Sequence, residues 1–153
     1  MKGNPWGSWV ISFIALFTAV SPYLADWNAT HIYNPYWPPH AKFHNGQTMA
    51  FGAMAGVIAL YYLWRRKADY QTKIYDLQVG TLFAALYWLT QVPAILFPGA
   101  DYFDPQYGGN AKMPINQTQL DFVIFVILGV AYYAQAKNLG RTQTENPVSD
   151  LAQ

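Results

Sequence analysis

No cysteine occurs anywhere in this 153-residue sequence. Disulfides, zinc–thiolate sites, iron–sulfur clusters and thiol nucleophiles are therefore excluded, and the redox compartment cannot be read. Charge is also scarce: Asp, Glu, Lys and Arg make up 11% of the residues, against about a quarter in a typical soluble domain. The formal net charge is only +1, so nothing recommends nucleic acid as a partner. A polar helix face is missing too. Phe122–Ala131 and Ala50–Leu63 are apolar all round, whereas a helix in a water-soluble bundle needs a polar stripe.

What is present is apolar and aromatic, at 53% and 18% of the chain. Four long apolar stretches approach the roughly 20 residues that carry a helix across a bilayer. They are Trp9–Ala25, Thr48–Trp64, Val79–Phe97 and Phe122–Ala136. The expected fold is all-α: a multi-pass, integral membrane four-helix bundle, with the lipid bilayer as its first partner. The first stretch also reads as a signal peptide, with Lys2 before Val10–Val20 and small residues at Ala19-Val-Ser21. Pro22 would then follow the cut, which disfavours cleavage.

Basic residues orient the spans. With both termini on one side, Lys2, Arg65, Arg66, Lys67, Lys73, Lys137 and Arg141 share that side, leaving Lys42 and Lys112 opposite. Both termini are therefore expected in the cytoplasm, with residues 1–141 forming the spanning domain and 142–153 a mobile polar tail. Two long loops, Asp26–Gln47 and Pro98–Asn116, fall on the outer face. Each carries an Asn-x-Thr sequon, at Asn28 and Asn116, open to glycosylation in a eukaryotic host.

Within the spans, Gly52 and Gly56 form a small-xxx-small pattern that lets another backbone come close. Its partner is a helix of the same bundle or, alternatively, a second copy in a homodimer. Pro93 removes a ladder donor and is expected to kink the third span just after Thr90 and Gln91.

Chemistry concentrates in the first outer loop, which holds all three histidines. Pro38 and Pro39 suit a helix start, where the donor they lack would be an orphan anyway. A helix from Pro39 puts His40, His44 and Thr48 on one face, four residues apart. The stiff run Asn34–Pro39 then acts as a fixed lid. Asp26 ends the first span, Asp101 and Asp104 follow the third, and Asp121 opens the fourth. Asp101 and Asp104 read as turn formers.

Three readings follow. In the first, Asp26, His31, His40, His44 and Asp121 perform acid–base chemistry, of isomerase or cyclase type, on a lipophilic small molecule. Asn28, Trp37, Thr48 and Gln91 would line its pocket, and Asp26 and His44 rank first among the candidates. In the second, His31, His40 and His44 with Asp26 ligate a metal ion. In the third, these groups are interfacial, bonding loop backbone while the aromatics form a membrane belt. A different alternative is an accessory subunit of a larger membrane complex, with the apolar surface, Gly52 and Gly56 as interface and the histidine loop as a docking element.

The signature Asp26-x-Asn28-x-Thr30-His31, followed by Asn34-Pro-x-Trp37-Pro-Pro-His40-Ala-Lys-Phe-His44, resembles a family of small, uncharacterised four-span membrane proteins. That resemblance implies size and fold and supplies no activity. A looser similarity links His40, His44, Asp26 and Asp121 to the EXPERA superfamily of sterol isomerases and sigma-2 receptor relatives. It implies acidic and histidine side chains acting on a sterol-like substrate. The chain departs from that pattern by placing a second histidine where an acid is expected.

Overall fold

The computed structural model describes residues 4–66, 69–109 and 115–145. Its four helices are α1 (Trp6–Asp26), α2 (Pro39–Trp64), α3 (Tyr70–Gln91) and α4 (Gln117–Glu145). At 1.5 Å per residue, even α1 is about 31 Å long, enough to cross the hydrocarbon core. Each helix, α3 taken together with the turn that follows it to Leu96, contains a window apolar enough to span a membrane, and only 17–33% of those windows is buried inside the protein. The rest is exposed apolar surface, including Phe13, Leu24, Phe122 and Val130. A surface of that kind is stable in lipid and not in water. The chain is a multi-pass integral membrane protein.

Sequential neighbours pack side by side, α4 closes the ring on α1, and α1 also touches α3 across the diagonal. Both described chain ends lie at one end of the bundle, the terminal end, where the Asn138 side-chain amide donates to the Asn4 carbonyl. The opposite, loop end carries residues 27–38 and 97–109.

Small residues set the close approaches. A Cβ at Gly52 would stand 2.8 Å from the Thr18 carbonyl oxygen, and one at Gly56 would stand 2.8 Å from the Ala19 Cβ. Both glycines therefore face α1 of the same chain. Their proposed use as a homodimer or docking contact has no free surface behind it. At the terminal end, a Cβ on Gly7 would meet the Gln135 Cβ at 2.8 Å, so α1 and α4 touch backbone to backbone there.

The core runs through Ile11, Ala15, Ala59, Leu77, Ala84, Trp88, Ile124 and Leu128. At its centre a polar group is fully paired. The Thr18 hydroxyl donates to the Ala84 carbonyl at 3.1 Å and accepts from the Trp88 indole at 2.8 Å, tying α1 to α3. The first apolar stretch is thus an integral part of the packed bundle.

Two boundaries differ from expectation. Pro93 ends α3 instead of kinking it: the α-helix stops at Gln91 and passes into a 3-10 turn over Val92–Leu96. With no N–H at Pro93 the i→i−4 ladder cannot continue, and the tighter turn takes over. At the other extreme, α4 continues to Glu145, so the first part of the expected tail is helix. Residues 146–153, like Lys2, Lys67 and Lys112, lie outside the described residues.

Candidate functional site

The first loop folds as a chain of side-chain turns. Asn28 accepts from the Thr30 backbone N–H at 2.8 Å and from the Thr30 hydroxyl at 2.6 Å. Thr30 Oγ1 in turn stands 2.7 Å from His31 Nδ1. Asn34, wholly buried, donates to the Thr30 carbonyl and accepts from the Tyr36 N–H. The ring of Trp37 meets His31 edge-on at 5.1 Å. This loop is held by its own side chains, which positions His31 with its Nε2 3.7 Å from Asp26 Oδ1.

Asp26 is not met by His40 or His44. Its other oxygen accepts a 2.6 Å hydrogen bond from the Asn45 amide. The reason is helix phase. Met49, Gly52, Gly56, Ala59 and Leu63 form the buried stripe of α2, and Asn45 continues it one turn outward. His44 lies about 100° away around the helix, and both it and His40 are exposed. The two imidazoles do come together, with Nε2 atoms 3.0 Å apart, and His44 Nδ1 lies 3.2 Å from Gln47 Oε1. Thr48 is exposed as well and donates back to the His44 carbonyl.

The proposed metal set therefore divides into His31 with Asp26 and His40 with His44. Among the described residues no group of three or more His, Cys, Asp or Glu side chains is placed to hold a metal ion. The four-ligand arrangement is not what the fold builds, since α2 turns its histidines outward.

A third group lies inside the loop end of the bundle. Asp121 is 1% exposed, and neither of its carboxyl oxygens has a hydrogen-bond partner. The side-chain oxygens of Asn45, Gln91 and Gln117 are buried and unpartnered too. Gln91 and Gln117 line an open cleft of about 170 Å³, together with Ala94, Ile95, Ala100, Asp101 and Tyr102. Asp121 lies one helical turn inward of Gln117 on the same face of α4, and Tyr87 one turn inward of Gln91 on α3.

The cleft's rim is also built locally. Gln117 donates to the Tyr102 carbonyl at 3.1 Å, and the Tyr102 hydroxyl bonds Thr118 Oγ1 at 2.9 Å. Asn116 and Gln119 exchange backbone-to-side-chain bonds of 2.9 and 3.0 Å, a capping box that starts α4 at this point. Asp104, exposed, carries no weight in the cleft.

Of the expected site residues, the fold thus groups Asp26 with His31, leaves His40, His44 and Thr48 on the outer surface, and buries Asp121 near Gln91. Asn28 and Trp37 shape the loop. Asn45, Tyr87 and Gln117 join the site without having been expected there. A signal for Asn45 exists, because it falls seven residues before Gly52 on the face that the glycine pair marks. A polar group left unpaired in a membrane interior is costly and points to function.

A model of a family of unknown function, DUF6640, matches residues 10–145 of the chain. No curated protein and no solved structure matches it.

Proposed function

The chain belongs to that uncharacterised family, and we propose that it binds a lipophilic small molecule in the loop-end half of the bundle. The ligand carries a hydrogen-bond donor, a hydroxyl or a protonated amine, which Asp121 receives. The observation that carries this reading is the Asp121 carboxyl, buried with both oxygens unpartnered. Asn45, Gln91 and Gln117 add three more orphaned acceptors at the same end. Such a surplus is complemented by a donor group on an apolar body, since each acceptor left unpaired costs about 1–3 kcal/mol.

Acid–base work follows from the same groups. Asp121 lies in an apolar setting while Asp26 is hydrogen-bonded by Asn45 and faced by His31. Two carboxyls in unlike surroundings can serve as a proton donor and a proton acceptor on one substrate. His31, partly exposed, stands beside Asp26.

The test uses purified protein in detergent, dodecylamine as an amine probe and dodecanol as its uncharged counterpart. Either probe is expected to raise the thermal midpoint of the wild type and to leave Asp121→Leu unmoved. Without ligand, Asp121→Leu should itself be more stable by about 1–3 kcal/mol, because it removes an orphaned polar group. Equal probe-induced shifts in wild type and Asp121→Leu would sink the reading.

A further inference from the structure

The terminal end holds a second cleft, of about 300 Å³, to which all four helices contribute. Its polar lining includes Ser8 from α1, Arg65 just past α2, Lys73 from α3 and Gln135 from α4. Leu63, Leu77 and Leu139 form its apolar wall. Gln135 is 5% exposed, and its side-chain oxygen has no partner.

The charges around this cleft are unevenly spent. Arg65 gives Nε and Nη2 to Asp76, at 2.7 and 2.5 Å, which leaves three of its five N–H groups. Asp69, the nearest acid in sequence, has its carboxylate taken up by the Thr72 N–H and hydroxyl at 2.8 and 2.6 Å. Lys73 has no acid within 4.0 Å among the described residues, where the ion pairs are His31–Asp26 and Arg65–Asp76. A lysine without an ion pair, further guanidinium donors, a buried acceptor and an aliphatic wall thus meet in one place.

We propose that this cleft binds an anionic phospholipid whose headgroup also carries hydroxyls, of the phosphatidylglycerol class. Its phosphate sits between Lys73 and Arg65, a headgroup hydroxyl donates to the Gln135 oxygen, and the glycerol and first acyl carbons lie on Leu63, Leu77 and Leu139. A guanidinium and an ammonium together suit a phosphate, the first as a fork and the second as a point charge. The hydroxyl complements the Gln135 oxygen as placed, a donor that a phosphodiester's own oxygens do not supply.

Native mass spectrometry of the full chain, exchanged into detergent with equal amounts of phosphatidylglycerol, phosphatidic acid and phosphatidylcholine, tests this. Wild type should retain phosphatidylglycerol above phosphatidic acid, and both above phosphatidylcholine. Lys73→Gln should lower retention of both anionic lipids by roughly fivefold, the worth of one surface cation. Gln135→Leu should bring phosphatidylglycerol down to the level of phosphatidic acid. Lys137→Gln, on a separate cleft, should change neither. Equal retention of all three lipids, or a Lys73→Gln profile identical to wild type, overturns the proposal. Displacement of bound lipid by soluble glycerol 3-phosphate overturns the lipid assignment and gives the cleft to a water-borne phosphate ester.

Discussion

Arg65 closes on the wholly buried Asp76 with two hydrogen bonds, from Nε at 2.7 Å and Nη2 at 2.5 Å. The carboxylate holds the guanidinium well above the ordinary arginine range, through those bonds and their charge. Tyr62 lies beneath the guanidinium, 4.8 Å from its carbon. Among the described residues, Asp76 and Asp121 are the two buried aspartates of the bundle. One is held by an arginine, whereas the other has no hydrogen-bond partner.

Removing one member of the pair strands the other. Arg65→Gln and Asp76→Asn should each lower the thermal midpoint in detergent clearly more than a surface change such as Arg66→Gln. The joint variant should lose less than the sum of the two, since it leaves no uncompensated charge in the protein. Strict additivity would mean that the two side chains do not act as a unit.

The glycines of α2 separate packing from propensity. Gly56→Val forces a branched side chain against Ala15 and Ala19 of α1 and should cost about 1–3 kcal/mol or more by overpacking. Gly46 is in the same helix, and a Cβ added there would meet nothing within 4 Å. Gly46→Ala should therefore gain about 0.5–1 kcal/mol. Chemical unfolding of both variants in one detergent checks the contrast.

How much of this is readable from the chain depends on what hydropathy encodes. Four helices, the start at Pro39 and the pairing of His40 with His44 follow from apolar run length, proline chemistry and four-residue spacing. The side on which those histidines sit does not. In a soluble helix the polar stripe marks the outside, but lipid and core are both apolar, so hydropathy assigns α2 no face. Only its small residues do so, and the stripe through Gly52 and Gly56 sends Asn45 inward and His44 outward. Asp121 is visible as an acid at a helix start, whereas its lack of any partner is a property of three-dimensional packing. Arg65 reads as an interface anchor for the same reason, because its partner Asp76 lies beyond a turn.

A pH dependence is expected at the start of α3. Asp69 caps that helix, and its hydrogen bonds from Thr72 hold its carboxyl below the usual aspartate range. A depressed folded-state pKa stabilises at pH values above the ordinary aspartate pKa, about 3.9. That contribution is lost as pH falls through the folded value. Thermal midpoints measured downward from about pH 5 should thus fall less steeply for Asp69→Ala than for wild type. Parallel curves would remove Asp69 from the acid response.

We propose that the terminal end faces the cytoplasm, since Arg65, Arg66, Lys73, Lys137 and Arg141 gather there. A reporter fused after Gln153 should be active only if it requires the cytoplasm, and one inserted beside Asp104 only if it requires the opposite side. The reverse pattern would turn the cleft of Gln91 and Gln117 to face the cell interior.

The hydroxyl of Thr18 has its proton committed to Ala84 and a lone pair to Trp88, which makes α1 and α3 a single spine. Gly52 and Gly56 seat α2 against that spine. α4 is seated just as tightly at Gly7, at the terminal end. Further along, its start is pinned by surface bonds around Tyr102 and Thr118. Between those two points Ile124, Leu128 and Ala131 hold α4 in the shared core, so on the proposed reading a guest reaching Asp121 has to part α4 from that packing.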